Sequence, residues 1–564
     1  MPTLDFKGKT IIWSHHLTVP YHTFEEVPEL EFNLGNSNEN MIIEGDNLLA
    51  LKALLPQYSG RIKLIYIDPP YNTGVNNGIW IYSDNVNSPL FSSWFKKVID
   101  KTDLARHDKW LCMMVPRLRL LRELLSDDGI IFISIDDHEL SNLRVICDQI
   151  FLEENRVDRG ALVWENKGST KGFSKIVKNH EYILAYAKDI SKIKSLYGLN
   201  YPDELTPIDE RLIIKRSDRN PPVTITFPKG LRIEGEQNII FEGSVADGTN
   251  QVDIISNDGK LVFEEGKLKY DTELYASWPY KEEMKEFLLK IGTEEKTYDT
   301  KNQEWEEVYF TSTGVPYHKK KRKILVLSSI LDDVGNSGSP DIADLEIEFD
   351  NPKPVKLITK LLDYFSTDGD IILDSFAGSG TTGHAVLQLE KDNRGNRKFI
   401  LVQMKEDTEQ EPEKNICKDK TRERIFRAIR KYGYNHGFRY LRIGRPIDAE
   451  SMLNGDLPEY NQFAKYIYYL CTGDTLLDES KINEETFYVG EKDNFIINLL
   501  YKKDFDVLSE LALTHEIAEK ITSEHHNKKN IIYAPACFLD QDYLEEKQIE
   551  FVSIPYNIFE RNQR

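Results

Sequence analysis

Asp68, Pro69, Pro70 and Tyr71 stand at the end of a short apolar run, Leu64-Ile65-Tyr66-Ile67. That run is rich in β-branched and aromatic residues and reads as a buried strand of a parallel sheet. Two consecutive prolines cannot continue a hydrogen-bonded ladder, so the chain leaves the sheet there in a stiff, extended form. The turn presents a carboxylate, a proline carbonyl and an aromatic face at a strand's carboxyl end, where open α/β sheets place their ligand crevices. These are the parts needed to grip a planar ring bearing an exocyclic amine. The same residues also suit a plain strand-ending turn with a core tyrosine, so a second set of residues must decide.

That second set lies far downstream. Asp370-Ile371-Ile372-Leu373 reads as a strand running into Asp374-Ser375-Phe376-Ala377-Gly378-Ser379-Gly380-Thr381-Thr382-Gly383, followed by a helix. Gly-x-Gly-x-x-Gly between strand and helix lets the backbone approach a nucleotide-like ligand closely. A P-loop is excluded, because no Gly-Lys-Ser/Thr follows. A dinucleotide site wants an acid at the end of the next strand, but Lys398 to Gln403 ends on Gln403, with Glu406 beyond it. A carboxylate at Asp374 repels pyrophosphate yet suits a ligand carrying both an ammonium and a sulfonium. S-adenosylmethionine carries both.

The elements that must position these residues follow from periodicity. Met41 to Glu44 is a strand ending in Gly45-Asp46, and Asn47 to Leu55 a helix stopped by Pro56. A right-handed crossover between that strand and the next puts Asp46 and Asp68 on one rim. Lys109 to Leu125 reads as a helix that Pro116 can kink, and Ile130 to Ile135 as a near-continuous apolar strand. Ala161 to Trp164 and Tyr182 to Ala187 are further strands. From 190 to 340 the texture changes to period-two alternation, as in Thr224-Ile225-Thr226-Phe227, with turn signals at Asn257-Asp258-Gly259 and Glu265-Gly266, which predicts antiparallel hairpins. Helical spacing returns at Pro354 to Phe365. The series 41–190 and 354–403 together supply seven strands if they merge into one sheet. The polar, aromatic stretch 72–104 is long enough for a lid or a DNA-contacting loop.

Bulk properties narrow the classes. A net charge of −21, from 72 Lys+Arg against 93 Asp+Glu, excludes a protein that merely coats nucleic acid, so any DNA contact must come from local basic patches. Candidates are Lys215, Arg216 and Arg219, and the run Lys319-Lys320-Lys321-Arg322. Five scattered cysteines without a Cys-x-x-Cys fit a reducing cytoplasm and predict no metal site. No apolar stretch reaches membrane-spanning length and no signal-peptide pattern opens the chain, so no membrane association is expected.

Taken together, Gly45-Asp46, Asp68 to Gly74, Asp128 to Asp137, His180 to Ile183, Phe349 to Pro354 and Asp374 to Gly383 resemble, in order and spacing, the β-class amino-methyltransferases of DNA. The resemblance is closest to the modification (Mod) subunits of type III restriction–modification systems. It implies an α/β, circularly permuted, seven-stranded S-adenosylmethionine-dependent (Rossmann-like) core with an inserted β-rich target-recognition domain. The expected division is an N-terminal extension (1–40), a catalytic half (41–190), the insertion (191–340), a cofactor half (341–435) and an α+β C-terminal domain for assembly or DNA contact (436–564). By position, Asp68, Pro69, Pro70 and Tyr71 would be catalytic, with Asn72 near DNA. Asp374, Phe376, Gly378, Gly380 and Thr381 would shape the methionine pocket, Asp46 would accept from the cofactor adenine, and Lys353 and Pro354 would lie nearby. Gln403 stands where the ribose-binding acid is expected, so either its amide substitutes or Glu406 reaches in. The implied activity is methylation of adenine N6 in double-stranded DNA, by a homodimer serving a helicase–nuclease restriction subunit. An orphan adenine or N4-cytosine methyltransferase, an idle DNA-recognition subunit and a nicotinamide-dependent oxidoreductase are the alternatives.

Overall fold

The computed structural model describes residues 3–33, 39–73, 105–157, 161–166, 177–193, 208–214, 221–235, 238–248, 250–300, 303–321, 327–392, 394–407, 411–523 and 528–554. The stretch 74–104, which holds most of the expected lid, lies outside them. The chain divides into two compact units, Met1–Lys194 with Ser328–Arg564, and Ser195–Leu327.

The first unit is built on a sheet of ten strands among the described residues. In chain order these are β1 (Tyr21–Glu26), β2 (Met41–Glu44), β3 (Ile62–Ile67), β4 (Leu125–Ile135), β5 (Leu162–Glu165), β6 (His180–Ala187), β7 (Ile330–Leu331), β8 (Ile371–Asp374), β9 (Lys398–Gln403) and β10 (Arg439–Ile447). Across the sheet they run β1-β10-β2-β9-β8-β3-β4-β6-β5-β7. The seven expected strands, from β2 to β5, are contiguous, so the two halves of the sequence do merge. From β10 to β4 every neighbour is parallel. β6 then inserts antiparallel between β4 and β5. Ile372 and Leu373 of β8 stand opposite Leu64 and Ile65 of β3, and Asp374 stands opposite Leu401 of β9. The strands carrying the two candidate motifs therefore end on one rim.

Both faces of β3 are covered, which is why it reads as an apolar run: Ile62, Leu64, Ile65, Tyr66 and Ile67 are all buried. Helix α1 (Asn47–Tyr58) starts on Asp46, whose carboxylate accepts the Leu48 N–H at 2.7 Å. It runs past Pro56 rather than stopping there. Proline's fixed φ is helical, and this close to the helix end it forfeits only one backbone bond. Helix α2 (Arg106–Leu124) likewise continues through Pro116, and β4 begins at once on Leu125.

The expected N-terminal and C-terminal boundaries both fall inside this unit. β1 and β10 pair antiparallel at the sheet's edge, and β10 also pairs with β2. Helix Tyr460–Thr472 buries Phe463, Tyr466 and Ile467 in the same apolar cluster as Leu54 and Tyr21, with the Tyr21 and Tyr466 rings 4.6 Å apart. A four-stranded sheet of Tyr488–Lys492, Phe495–Leu499, Lys529–Ala534 and Ile549–Ser553 completes the unit. Among the described residues no helix is long and apolar enough to cross a membrane.

The second unit is β-rich, with one α-helix among the described residues, Lys281–Leu289, and has its own core around Phe227, Phe263, Trp278 and Phe310. Its hairpin from Lys260–Glu264 to Lys267–Leu268 turns on Glu265 and Gly266, both at positive φ, as a two-residue hairpin turn requires.

Candidate active site

The turn after β3 is fixed from behind. Trp110, fully buried on α2, donates its indole N–H to the Pro70 carbonyl at 2.6 Å. Asn72, at φ 59°, donates to Glu139 at 2.5 Å, and the same carboxylate accepts from His107 at 2.6 Å. The exit of the turn is thus tied to a fully buried acid.

In front of the turn four polar groups converge. The Tyr71 hydroxyl lies 2.7 Å from Asp68 Oδ1 and 3.0 Å from Glu181 Oε2, and it accepts from Lys353 Nζ at 2.8 Å. Lys353 Nζ is also 2.9 Å from Asp68 Oδ2 and 3.2 Å from Glu181 Oε2. Burial works against the ammonium, but the two carboxylates outweigh it and hold Lys353 above its ordinary pKa. Burial and the same two acids push the Tyr71 phenol well up, so it stays protonated. Lys353 therefore brings its charge to the Asp68–Tyr71 turn, although the resemblance set it among the cofactor-binding residues near Asp46. Its backbone does reach that loop: the Thr381 hydroxyl donates to the Lys353 carbonyl at 3.3 Å. Pro354 is the N-cap residue of the helix Val355–Phe365.

The glycine loop is braced from inside. Asp374 is buried, with Oδ1 accepting the Phe376 N–H at 3.0 Å and Oδ2 the Thr382 hydroxyl at 2.6 Å. Burial pushes its carboxyl up to about 7, the two hydrogen bonds pulling it only partly back. Gly380 has φ 84°, a left-handed conformation that favours glycine. A Cβ on Gly378 would lie 3.3 Å from Phe349 Cζ, and one on Gly383 2.8 Å from Ile425 Cδ1. The first two glycines thus shape the loop and the third lets helix Thr381–Lys391 pack closely. Gln403 is buried against the loop: its amide oxygen accepts the Gly378 N–H at 2.8 Å, and its amide nitrogen donates to Glu406 at 2.8 Å. Gln403 therefore links loop to acid, and Glu406 is the carboxylate at the end of that link. Asp46 caps α1 and lies 3.2 Å from Arg117, which is fully buried and also donates to Asn47 at 2.5 Å.

Four residues of this constellation were not singled out from sequence as site residues. Glu181 is the second residue of β6 and has no local signature beyond its His-Glu-Tyr run. Arg117 lies on a helix, and Glu139 at the N-cap of another, Leu140–Phe151, that read as ordinary amphipathic covers. Arg424 hides among the other cations of helix Glu423–Tyr432, yet is fully buried and donates to Ser379 at 2.7 Å and Thr381 at 2.8 Å.

The basic run gives the main correction. Lys320 is only 2% exposed, 3.1 Å from Asp299 and packed over the Tyr280 and Trp305 rings. Strand Pro316–Lys321 alternates, so that lysine points into the core of the second unit and not toward a phosphate. Lys319 pairs with Glu210 at 2.6 Å and Lys321 with Glu306 at 2.7 Å. Lys215, Arg216, Arg219 and Arg322 lie outside the described residues.

A Rossmann-like sheet with an Asp-Pro-Pro-Tyr turn beside a glycine loop on one rim defines the class: a DNA methylase. The family model of that description, for N6/N4 methyltransferases, matches residues 62–414, and the chain belongs to this family. The type III restriction-modification enzyme EcoP15I Mod subunit of Escherichia coli is 30% identical over 479 residues, covering 78% of this chain and 71% of that subunit. The StyLTI Mod subunit of Salmonella typhimurium is 29% identical over 459 residues, covering 74% and 63%. This chain thus spans less than two thirds of the StyLTI subunit. The type II methyltransferase M.KpnI of Klebsiella pneumoniae is 29% identical over 379 residues, covering 65% and 81%. The expected kinship with type III Mod subunits is borne out.

Proposed function

We propose that the protein transfers a methyl group from S-adenosylmethionine to the N6 amino group of adenine in double-stranded DNA, as the modification subunit of a type III system. The observation that carries this reading is the shared rim, where Asp68–Tyr71 and Gly378–Thr381 follow the adjacent strands β3 and β8 and Lys353 bonds to Tyr71 of the first and Thr381 of the second. In this reading the core is circularly permuted, its cofactor half following its catalytic half in the chain. The β-rich unit between them reads the target sequence.

The cofactor's chemistry suits the loop. Asp374 is a buried acid whose two hydrogen-bond donors are neutral, and a ligand bringing an ammonium would supply the missing counter-charge. Bound there, S-adenosylmethionine supplies an electrophilic methyl on its sulfonium. Asp374, Phe376, Gly378, Gly380 and Thr381 would hold its methionine part, with Gln403 and Glu406 toward the ribose and Asp46 toward the adenine.

A target amine is a poor nucleophile because its lone pair is delocalised into the ring. Asp68 and the Pro69 carbonyl each accept one amine N–H, which draws the nitrogen toward an sp³ form and aims its lone pair. Orientation then does most of the work of an in-line transfer. With the cofactor bound, its methyl carbon would bond to the amine nitrogen, the sulfur would keep the C–S electron pair, and Asp68 is placed to take the amine proton that would leave. The base must leave the duplex at a cost of a few kcal/mol, which stacking on Tyr71, about 1–3 kcal/mol, offsets in large part.

With labelled cofactor and DNA, label is expected in adenine; label confined to cytosine or to RNA would overturn the assignment. The coverage of M.KpnI, greater than that of either Mod subunit, supports a second reading as a stand-alone methyltransferase. Co-purification with a helicase–nuclease subunit separates the two. A dimer of the 65.4 kDa chain, checked by light scattering, belongs to the first reading.

A further inference from the structure

In this structure both oxygens of Asp68 are already in use. Oδ1 is held by the Tyr71 hydroxyl at 2.7 Å and Oδ2 by the Lys353 ammonium at 2.9 Å. A target amine that is to donate to Asp68 must displace one of them. The phenol is part of a turn pinned by Trp110 and Glu139, whereas Lys353 has a long, rotatable stem. Its Nζ is a nitrogen with hydrogens directed at Asp68 and seated beside the Tyr71 ring, the position and polarity that an exocyclic amine would adopt. It also has somewhere to go. Glu181 Oε2 is only 3.2 Å from Nζ, so a small rotation passes the ammonium from one carboxylate to the other without leaving its charge unpaired.

We propose that Lys353 is a resident stand-in for the target amine: it fills the amine seat of the free enzyme, and when the base enters it shifts from Asp68 onto Glu181, which acts as its docking acid. This rests on the reading of Asp68 as the amine acceptor. Glu181 is then a positioning residue acting through Lys353. Filling the seat costs little binding energy, because the ammonium keeps one carboxylate partner in either place. It also keeps the two acids and the phenol paired while no DNA is bound. Holding the ammonium at the clamp's edge during the reaction would keep the acids in their ionised, accepting form.

The proposal predicts a reversal between two substitutions. In Glu181→Gln the ammonium loses its second carboxylate, binds Asp68 more firmly and blocks the seat. Single-turnover methylation at saturating cofactor should then show kcat/KM for DNA lowered about tenfold or more, with cofactor Kd within about twofold of wild type. Lys353→Met leaves two facing acids with no cation and should also be impaired. The double variant E181Q/K353M removes one charge of each sign and clears the seat, so it should recover at least about fivefold over E181Q alone. A double variant no better than E181Q overturns the proposal. So does K353M weakening cofactor binding about tenfold, which would return Lys353 to the cofactor pocket. Melting temperatures of all three identify any variant that fails to fold, and Lys353→Gln, which keeps a neutral donor, replaces K353M if needed under the same criteria. Wild-type transfer is the control for the underlying reading: loss of it on every DNA tested condemns that reading, and transfer to cytosine leaves this test intact at the cytosine amine.

Discussion

Two enclosed lysines, one in each unit, are held in opposite ways. Lys353 is 8% exposed and stands between two carboxylates and a phenol at the end of the parallel sheet. Lys320 is 2% exposed and meets the Asp299 carboxylate, with aromatic rings around it. The first has more acceptors than it needs, so it can change partners at little cost. The second is paired with Asp299 and packed on aromatic rings, so moving it costs the ring contacts as well as the ion pair. Enclosure of a cation therefore says little by itself; the number and geometry of the acids around it separate a movable part from a fixed one.

The sharpest way to break this comparison is at Asp68. Asp68→Ala should lower single-turnover methyl transfer by about a thousandfold, because the amine loses its orienting acceptor, while equilibrium binding still finds the cofactor. If transfer survives, the rim is not the reacting centre. On the other side, Lys320→Ala should cost about 3–5 kcal/mol by removing the ammonium from beside the buried Asp299 carboxylate, seen as a lowered unfolding midpoint followed by Trp fluorescence. The double variant K320M/D299N should recover much of that loss. A large loss of DNA affinity with unchanged stability would instead put Lys320 back at a surface.

Smaller effects lie around the cofactor loop. Arg424→Met removes two hydrogen bonds to Ser379 and Thr381 and should weaken the cofactor by about tenfold to a hundredfold, with Arg424→Lys in between, by calorimetry. The smallest expected effect is a pH dependence. A cationic ligand favours ionised Asp374, whose carboxyl sits at about 7 without one, so binding must expel a proton below that pH. Cofactor Kd should weaken by up to about tenfold per pH unit below 7 and level off above it. Asp374→Asn should flatten the profile.

What the sequence made legible was local or periodic. The Asp-Pro-Pro-Tyr turn and the glycine loop declare themselves because prolines and glycines restrict the backbone wherever they stand. The seven strands could be counted because strands buried on both faces read as apolar runs. What escaped depends on partners distant in the chain. The Lys319-Lys320-Lys321 run looks uniformly basic, and only pairing of its strand with Glu304–Phe310 turns the middle lysine inward. Arg424 is one of four cations on its helix, and its burial depends on a loop more than forty residues earlier. Glu181 meets Lys353 only because β6 folds back beside β4. β10 joins the sheet as a tenth-strand neighbour of β2, residues whose pairing no local pattern announces.

The strand order also bears on how the molecule comes into being. β3 takes β8 as one of its two neighbours, and β2 lies between β9 and β10, all three of them encoded far later in the chain. At about 5–20 residues per second, the ribosome needs roughly 15–60 s to travel from the end of β3 to the end of β8. For that interval the nascent chain carries apolar strands with unfilled sides, the kind of edge that recruits the wrong partner. A compact second unit synthesised in the middle of that wait delays closure of the first. Chaperone demand during synthesis, not the stability of the finished sheet, should therefore set how much active protein a cell obtains.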